Sequence, residues 1–240
     1  MQAPLPLLQK LTLFPGMEGG HLRLVVVLSQ LGDFDSLEYA KALANAMPNL
    51  RQAGIQLLAI AIGDVQGADR FCSFTGFPRQ CMHVETEPYL HRELGLYQGL
   101  QIPSSAPWPA LLLMCAGIGS SGTLAEVLRG YTGDRSSPSL IKDDELIELA
   151  PLPVIKGSFF SRLGHGYLRP FELATVRLRN MVEVLTNWRT YVPRDDFLCQ
   201  RGGTFLLDRD GSLLYEHRDR GILGFSKTMG RPLAFLDPYL

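Results

Sequence analysis

The stretch Leu28-Ser29-Gln30-Leu31-Gly32-Asp33-Phe34-Asp35-Ser36-Leu37-Glu38-Tyr39-Ala40 decides how the chain is read. It runs from a buried strand through a glycine-marked turn into the start of a helix. Upstream, Leu24-Val25-Val26-Val27-Leu28 is an unbroken aliphatic run, the pattern of a central strand covered on both faces. Downstream, Leu37, Ala40, Leu43, Ala44, Met47 and Leu50 recur at helical spacing until Ala53-Gly54 ends the helix. Asp33 or Asp35 can cap it, because a carboxylate there accepts from the free N–H groups of the first turn.

The alternation continues outward. Residues 55–62 read as a second buried strand, 68–75 as a short helix stopping at Gly76, and 81–84 as a third strand. Residues 88–96 form a helix with proline in its first turn. Strands alternating with helices predict a mostly parallel sheet with right-handed crossovers. Near the far end, 203–207 is apolar, Asp208-Arg209-Asp210-Gly211 is a turn, and 212–217 returns as an antiparallel partner. Between these parts, residues 98–200 are too long for a plain connection. They carry helical pattern at 123–129, 143–149 and 171–192. The expected fold is therefore α/β and thioredoxin-like: a central mixed sheet flanked by helices, closed by a C-terminal β-hairpin. One domain spans 1–240, with a mostly helical insertion at 98–200.

Composition narrows the class. Of 240 residues, 46% are hydrophobic and 20% charged, and the formal net charge is −1, so no whole-chain field points to nucleic acid. The first ten residues lack a basic n-region, and two prolines interrupt a short apolar run, unlike a signal peptide. No apolar run approaches the ~20 residues of a membrane span. The expected location is the cytoplasm, with at most peripheral membrane contact. Cys72, Cys81, Cys115 and Cys199 show no Cys-x-x-Cys spacing and read mostly as buried thiols, Cys115 in the core among them. The five histidines show no metal-ligand spacing, and His91 and His217 read as surface residues. Gly117-Ile-Gly-Ser-Ser-Gly122 has the spelling of a dinucleotide loop, but no acidic residue closes a second strand where that unit requires one. Neither a cofactor nor a metal is expected.

Four segments carry a family likeness. They are the strand–glycine–helix segment at 24–40, Asp69-Arg-Phe-Cys-Ser-Phe-Thr-Gly-Phe-Pro78, Glu87-Pro-Tyr-Leu-His-Arg-Glu-Leu-Gly-Leu96, and Gln200-Arg-Gly-Gly-Thr-Phe-Leu-Leu-Asp-Arg-Asp-Gly211 running on to Asp219. In their order and spacing the chain resembles the AhpC/TSA peroxiredoxin-like proteins, in particular the peroxiredoxin-like 2 branch and its cyanobacterial members. In active members, the resemblance implies, a peroxidatic cysteine sits at the N-terminus of the first long helix. The helix dipole and free N–H groups favour a thiolate there. In this chain Asp33 and Ser36 hold those positions. Asp33 keeps the negative charge but cannot be oxidised, and Ser36 needs a neighbouring base to act as a nucleophile.

Two functional readings follow. The first is a catalytically degenerate member that binds a protein partner or a small ligand. It would use the former active-site face (Asp33, Ser36, Arg201, Gly202) or the insertion (Arg177, Arg179). The second is a thiol-dependent peroxidase with a relocated cysteine, Cys199, whose pKa the neighbouring Arg201 would lower. Residues 156–194 hold seven basic and two acidic side chains, a local net of +5. Within them Phe171, Ala174, Leu178, Met181, Leu185 and Trp188 form an apolar helical stripe, expected to lie on the domain core. The same basic segment could contact an anionic membrane surface. The resemblance also allows a homodimer.

Overall fold

The protein is described by a computed structural model covering residues 2–102, 107–148 and 153–240. In chain order its elements are α1 (Leu5–Leu11), β1 (Leu22–Gln30), α2 (Phe34–Gln52), β2 (Ile55–Ile62), α3 (Val65–Thr75), β3 (Met82–Glu85) and α4 (Tyr89–Glu93). There follow α5 (Pro107–Cys115), α6 (Thr123–Thr132), β4 (Leu146–Ile147), β5 (Ile155–Lys156), α7 (Glu172–Thr186), α8 (Trp188–Tyr191), β6 (Gly203–Leu207) and β7 (Leu213–Arg218). The main sheet has the order β3-β2-β1-β6-β7, with β1, β2 and β3 parallel and β6 and β7 antiparallel. This is the mixed sheet expected of a thioredoxin-like fold.

The aliphatic run of β1 explains why the strand is central. Side chains alternate across a strand, so Leu24, Val26 and Leu28 enter the core under α2 and α3, where Leu43 and Phe71 meet them. Val25 and Val27 enter the opposite core, against Leu7 and Leu11 of α1 and Leu90 of α4. All five are buried. Each such side chain contributes about 1.5–3 kcal/mol through burial. The helix α3 begins where Asp64 accepts from the Gly67 N–H at 2.7 Å and ends at Gly76 in the left-handed conformation.

Several local expectations change. The 143–149 helix is absent over its described part: Leu146–Ile147 pairs with Ile155–Lys156 as a two-stranded ribbon, and Leu149 lies outside the described residues. The helix expected at 88–96 is a single turn, α4. The expected 171–192 helix breaks at Asn187 into α7 and α8. His91, expected at the surface, is fully buried, and its Nε2–H donates to the Leu28 carbonyl at 2.7 Å. His217 is partly buried and donates to the Gly224 carbonyl at 2.7 Å. Gly117–Gly122 follows the helix α5, not a strand, which removes the context of a dinucleotide loop.

The largest reversal concerns α7. Phe171, Leu178, Met181 and Leu185 of its apolar stripe are exposed, whereas Glu172 and Asn180 on the other face are completely buried. The polar face turns inward because the domain supplies its partners. Glu172 accepts from the backbone N–H groups of Leu140 and Ile141 and from Arg169. Asn180 accepts from Lys41 at 2.7 Å. Arg177 grips Glu38 of α2 through Nε and Nη2 at 2.8 and 3.2 Å. Charge-assisted, bidentate pairs of this kind are stronger than neutral hydrogen bonds and leave none of these inward-turned charges without a partner.

Gly202 immediately precedes β6 and lies so close to β1 that a Cβ would strike the Val27 carbonyl oxygen. Its N–H and C=O both pair with Asp219. Gly202→Ala is therefore expected to destabilise the fold by about 1–3 kcal/mol, as overpacking does. A urea titration checks it, with a lower midpoint and an unchanged slope.

Candidate functional site

The N-terminal end of α2 is where the sheet, the insertion and the C-terminal hairpin meet. Asp33 is the N-cap by position, in extended conformation, but its side chain caps nothing. Its Oδ1 instead accepts from Arg201 Nη1 at 3.2 Å. Asp35 Oδ2 lies 3.8 Å from the same nitrogen and accepts from the Leu223 backbone N–H. The expected capping role of Asp33 thus gives way to an ion pair reaching across to the start of β6. Arg201 is 1% exposed. Its Nε donates to the Cys199 carbonyl at 3.1 Å and its Nη2 to the Leu198 carbonyl at 3.0 Å. Ser36 Oγ donates to Asp33 Oδ2 at 3.4 Å. The sequence thus places Asp33, Ser36, Arg201 and Gly202 in one locality, and the structure adds Asp35 and Asp219.

Asp219 follows β7 and accepts from the Gly202 N–H at 3.2 Å through Oδ2. One oxygen of Asp35 and one of Asp219, Oδ1 in each, is buried without a hydrogen-bond partner. Both residues, with Asp33 and Ser36, line a cavity of about 10 Å³, room for one water. Three carboxylates share one guanidinium, so a single positive charge cannot hold all of them ionised. Burial, reinforced by the Asp33 carboxylate and opposed by Arg201, pushes Asp35 well above the usual carboxylate range. The Asp219 carboxyl is pushed up to about 7, chiefly by burial, with Arg201 opposing and Asp33 reinforcing.

No cysteine stands at the start of α2. Cys199 is buried, its Sγ lies 3.8 Å from the Pro107 carbonyl oxygen, and burial pushes its thiol up against the pull of Arg201. Cys72 is pushed up to about 11 by burial, and Cys81 upward by the same cause. Cys115, expected in the core, is exposed at the end of α5, and its thiol is also pushed up, with Arg201 opposing. A thiol with a raised pKa is a poor nucleophile at neutral pH.

Beside the charged cluster lies a second feature, a cavity of about 500 Å³ between α6, α7 and the first residues of α2. Phe34 and Asp35, Val127 and Tyr131, Phe171 and Met181 are on its wall, as is Cys115. The exposed stripe of α7 faces this space. Phe171 and Leu223 also line it, and they are the two non-glycine residues with positive φ among those described, at 64° and 57°. Each such conformation costs about 1–3 kcal/mol and tends to be retained at functional sites.

The basic insertion does not present a free basic face. Arg177 is largely buried in its pairs with Glu38 and Glu126, and Arg179 meets Glu145 at 3.2 Å. Arg189 meets Asp195, Arg194 meets Glu87 and Asp196, and buried Arg169 meets Glu172 and Asp143. Acids outside the 156–194 window offset most of its positive charge. Among the described residues no helix is long and apolar enough to cross a membrane. Nor does any group of three or more His, Cys, Asp or Glu side chains among them converge on a metal-sized site.

A family model described as AhpC/TSA antioxidant enzyme matches residues 42–221, three quarters of the chain. The matched range begins after Asp33 and Ser36. The curated proteins and the solved structures gave no match. Over that range, and on the sheet order that goes with it, the chain belongs to the AhpC/TSA antioxidant enzyme family.

Proposed function

We propose that this chain is a catalytically degenerate AhpC/TSA protein that works by binding. The observation that carries this reading is the engagement of Arg201. Arg201, buried beside the α2 N-terminus, is held by Asp33 at 3.2 Å, with Asp35 at 3.8 Å, and not by a thiolate. A peroxidatic centre needs a thiolate stabilised by a cation or a helix N-terminus. Carboxylates fill both of those places in this chain. Among the described residues Ser36 has Asp33 as its hydrogen-bond partner at 3.4 Å and no histidine base. Placement in the peroxiredoxin-like 2 branch is our assignment, supported by the segments at 69–78, 87–96 and 200–219.

The competing reading is a peroxidase with a relocated cysteine. It is favoured by the charge of Arg201, which acts to lower the pKa of both Cys199 and Cys115. Such a thiol would attack the peroxide O–O bond, giving a sulfenic acid and water, and a second thiol would return it to the reduced state. Hydrogen peroxide consumption with dithiothreitol as reductant separates the two. The binding reading expects turnover no faster than that of a free thiol, unchanged in Cys199→Ser and Cys115→Ser. Turnover that vanishes in either variant but survives in Cys72→Ser overturns it.

A further inference from the structure

We propose that the cavity between α6, α7 and the start of α2 binds an uncharged, elongated, apolar small molecule of the medium-chain alcohol or ketone type. The inference rests on the binding reading and names the ligand class of the same face.

Size and lining come first. About 500 Å³ lies in the range of small-molecule sites, which are concave, mostly apolar and equipped with few polar groups. Phe34, Val127, Tyr131, Phe171, Leu178 and Met181 supply apolar wall from three helices and their ends. An α-helix that turns its polar face into the domain and its apolar stripe toward a cavity leaves that stripe to be covered by something apolar. The backbone around the cavity is also held unusually. Phe171 and Leu223 keep a left-handed conformation there without being glycine.

Charge then selects among apolar ligands. The cation on the wall, Arg177, is already neutralised by Glu38 and Glu126. A carboxylate or phosphate headgroup therefore finds no free cation on this wall. The threonine hydroxyls are engaged too: Thr123 donates to the Ile222 carbonyl at 2.7 Å and Thr175 to the Phe171 carbonyl at 2.8 Å. The Tyr131 hydroxyl is the exception: Tyr131 stands exposed on the wall, and its hydroxyl has no hydrogen-bond partner among the described residues. Hydrogen-bonding capacity of that kind suits one neutral polar group on an otherwise apolar chain.

The test is a fluorescence titration of the full-length reduced protein with neutral phenylnaphthylamine. Saturable, one-to-one enhancement is expected, reversed by decanol and about tenfold less effectively by decanoate at neutral pH. The double variant Leu178→Asn/Met181→Asn alters partly exposed residues, so its Tm should hold while probe affinity falls about tenfold or more. Bound decanol should also slow alkylation of Cys115 by N-ethylmaleimide, without any substitution. Absence of saturation, equal displacement by decanoate, or equal affinity in the double variant overturns the proposal. So does a stable dimer that excludes the probe and dissociates in the double variant, because the groove then serves a second copy. The peroxide assay fails or passes independently, so loss of the binding reading is distinguishable from loss of this one.

Discussion

Arg201→Met is expected to destabilise the protein by about 3–5 kcal/mol at neutral pH, the usual result of removing one partner from a buried ion pair. The guanidinium is fully buried and satisfies Asp33, Asp35 and two backbone carbonyls at once. Methionine fills comparable volume but leaves the carboxylates facing one another in a dry site. The loss should be pH-dependent. In the variant, Asp35 and Asp219 rise further above their unfolded values, so the native state takes up protons more readily than the unfolded chain. Stability then falls as pH rises, and the deficit shrinks on acidification. Adding Asp33→Asn to Arg201→Met should recover about 1 kcal/mol or more, because the two sites are in contact and couple. Chemical denaturation at several pH values checks all three statements. A single-variant loss below about 1 kcal/mol would mean that Arg201 does not hold the cluster together.

Asp219→Asn should flatten the stability profile between about pH 4 and pH 7. The sign follows from the direction of the shift. The native carboxyl is pushed up to about 7, from an ordinary value of 3.8. Across that interval the folded protein binds a proton that the unfolded chain has released, so wild-type stability declines as pH rises and levels off above 7. One pKa unit corresponds to 1.36 kcal/mol, so the whole decline attributable to Asp219 is about 4 kcal/mol. The amide keeps an acceptor for the Gly202 N–H and carries no charge. Relative to wild type, Asp219→Asn should therefore gain about 4 kcal/mol between pH 4 and pH 8. Parallel profiles for the two proteins would show that Asp219 titrates normally.

The sheet is legible in the sequence because its signals are local and period-two or period-3.6. Leu24 to Leu28 is buried on both faces, the α2 stripe is helical, and Asp208–Gly211 turns a hairpin. Half of the site is legible as well, since the end of β1 and the start of β6 bring Asp33, Ser36, Arg201 and Gly202 together in any fold of this topology. The rest depends on long-range partners. Asp219 enters the cluster because β7 pairs with β6, and Asp35, legible in the sequence as a cap candidate, faces Arg201 and accepts from Leu223 instead. The reversal of α7 is invisible to periodicity. An amphipathic stripe states which residues share a face, and the partners Glu38, Lys41 and Arg169 decide which face turns inward. The +5 count of the insertion misleads for the same reason, because its neutralising acids lie elsewhere in the chain.

The central proposal is that carboxylates and a guanidinium occupy the end of α2 in place of a reactive thiolate. The most direct test is residue-resolved mass spectrometry of the reduced protein within seconds of adding one equivalent of hydrogen peroxide. The account predicts that none of Cys72, Cys81, Cys115 and Cys199 is oxidised faster than a free thiol. Rapid, selective sulfenic acid formation at Cys199 or Cys115 would contradict it, and would mean that the family's chemistry has moved to another cysteine.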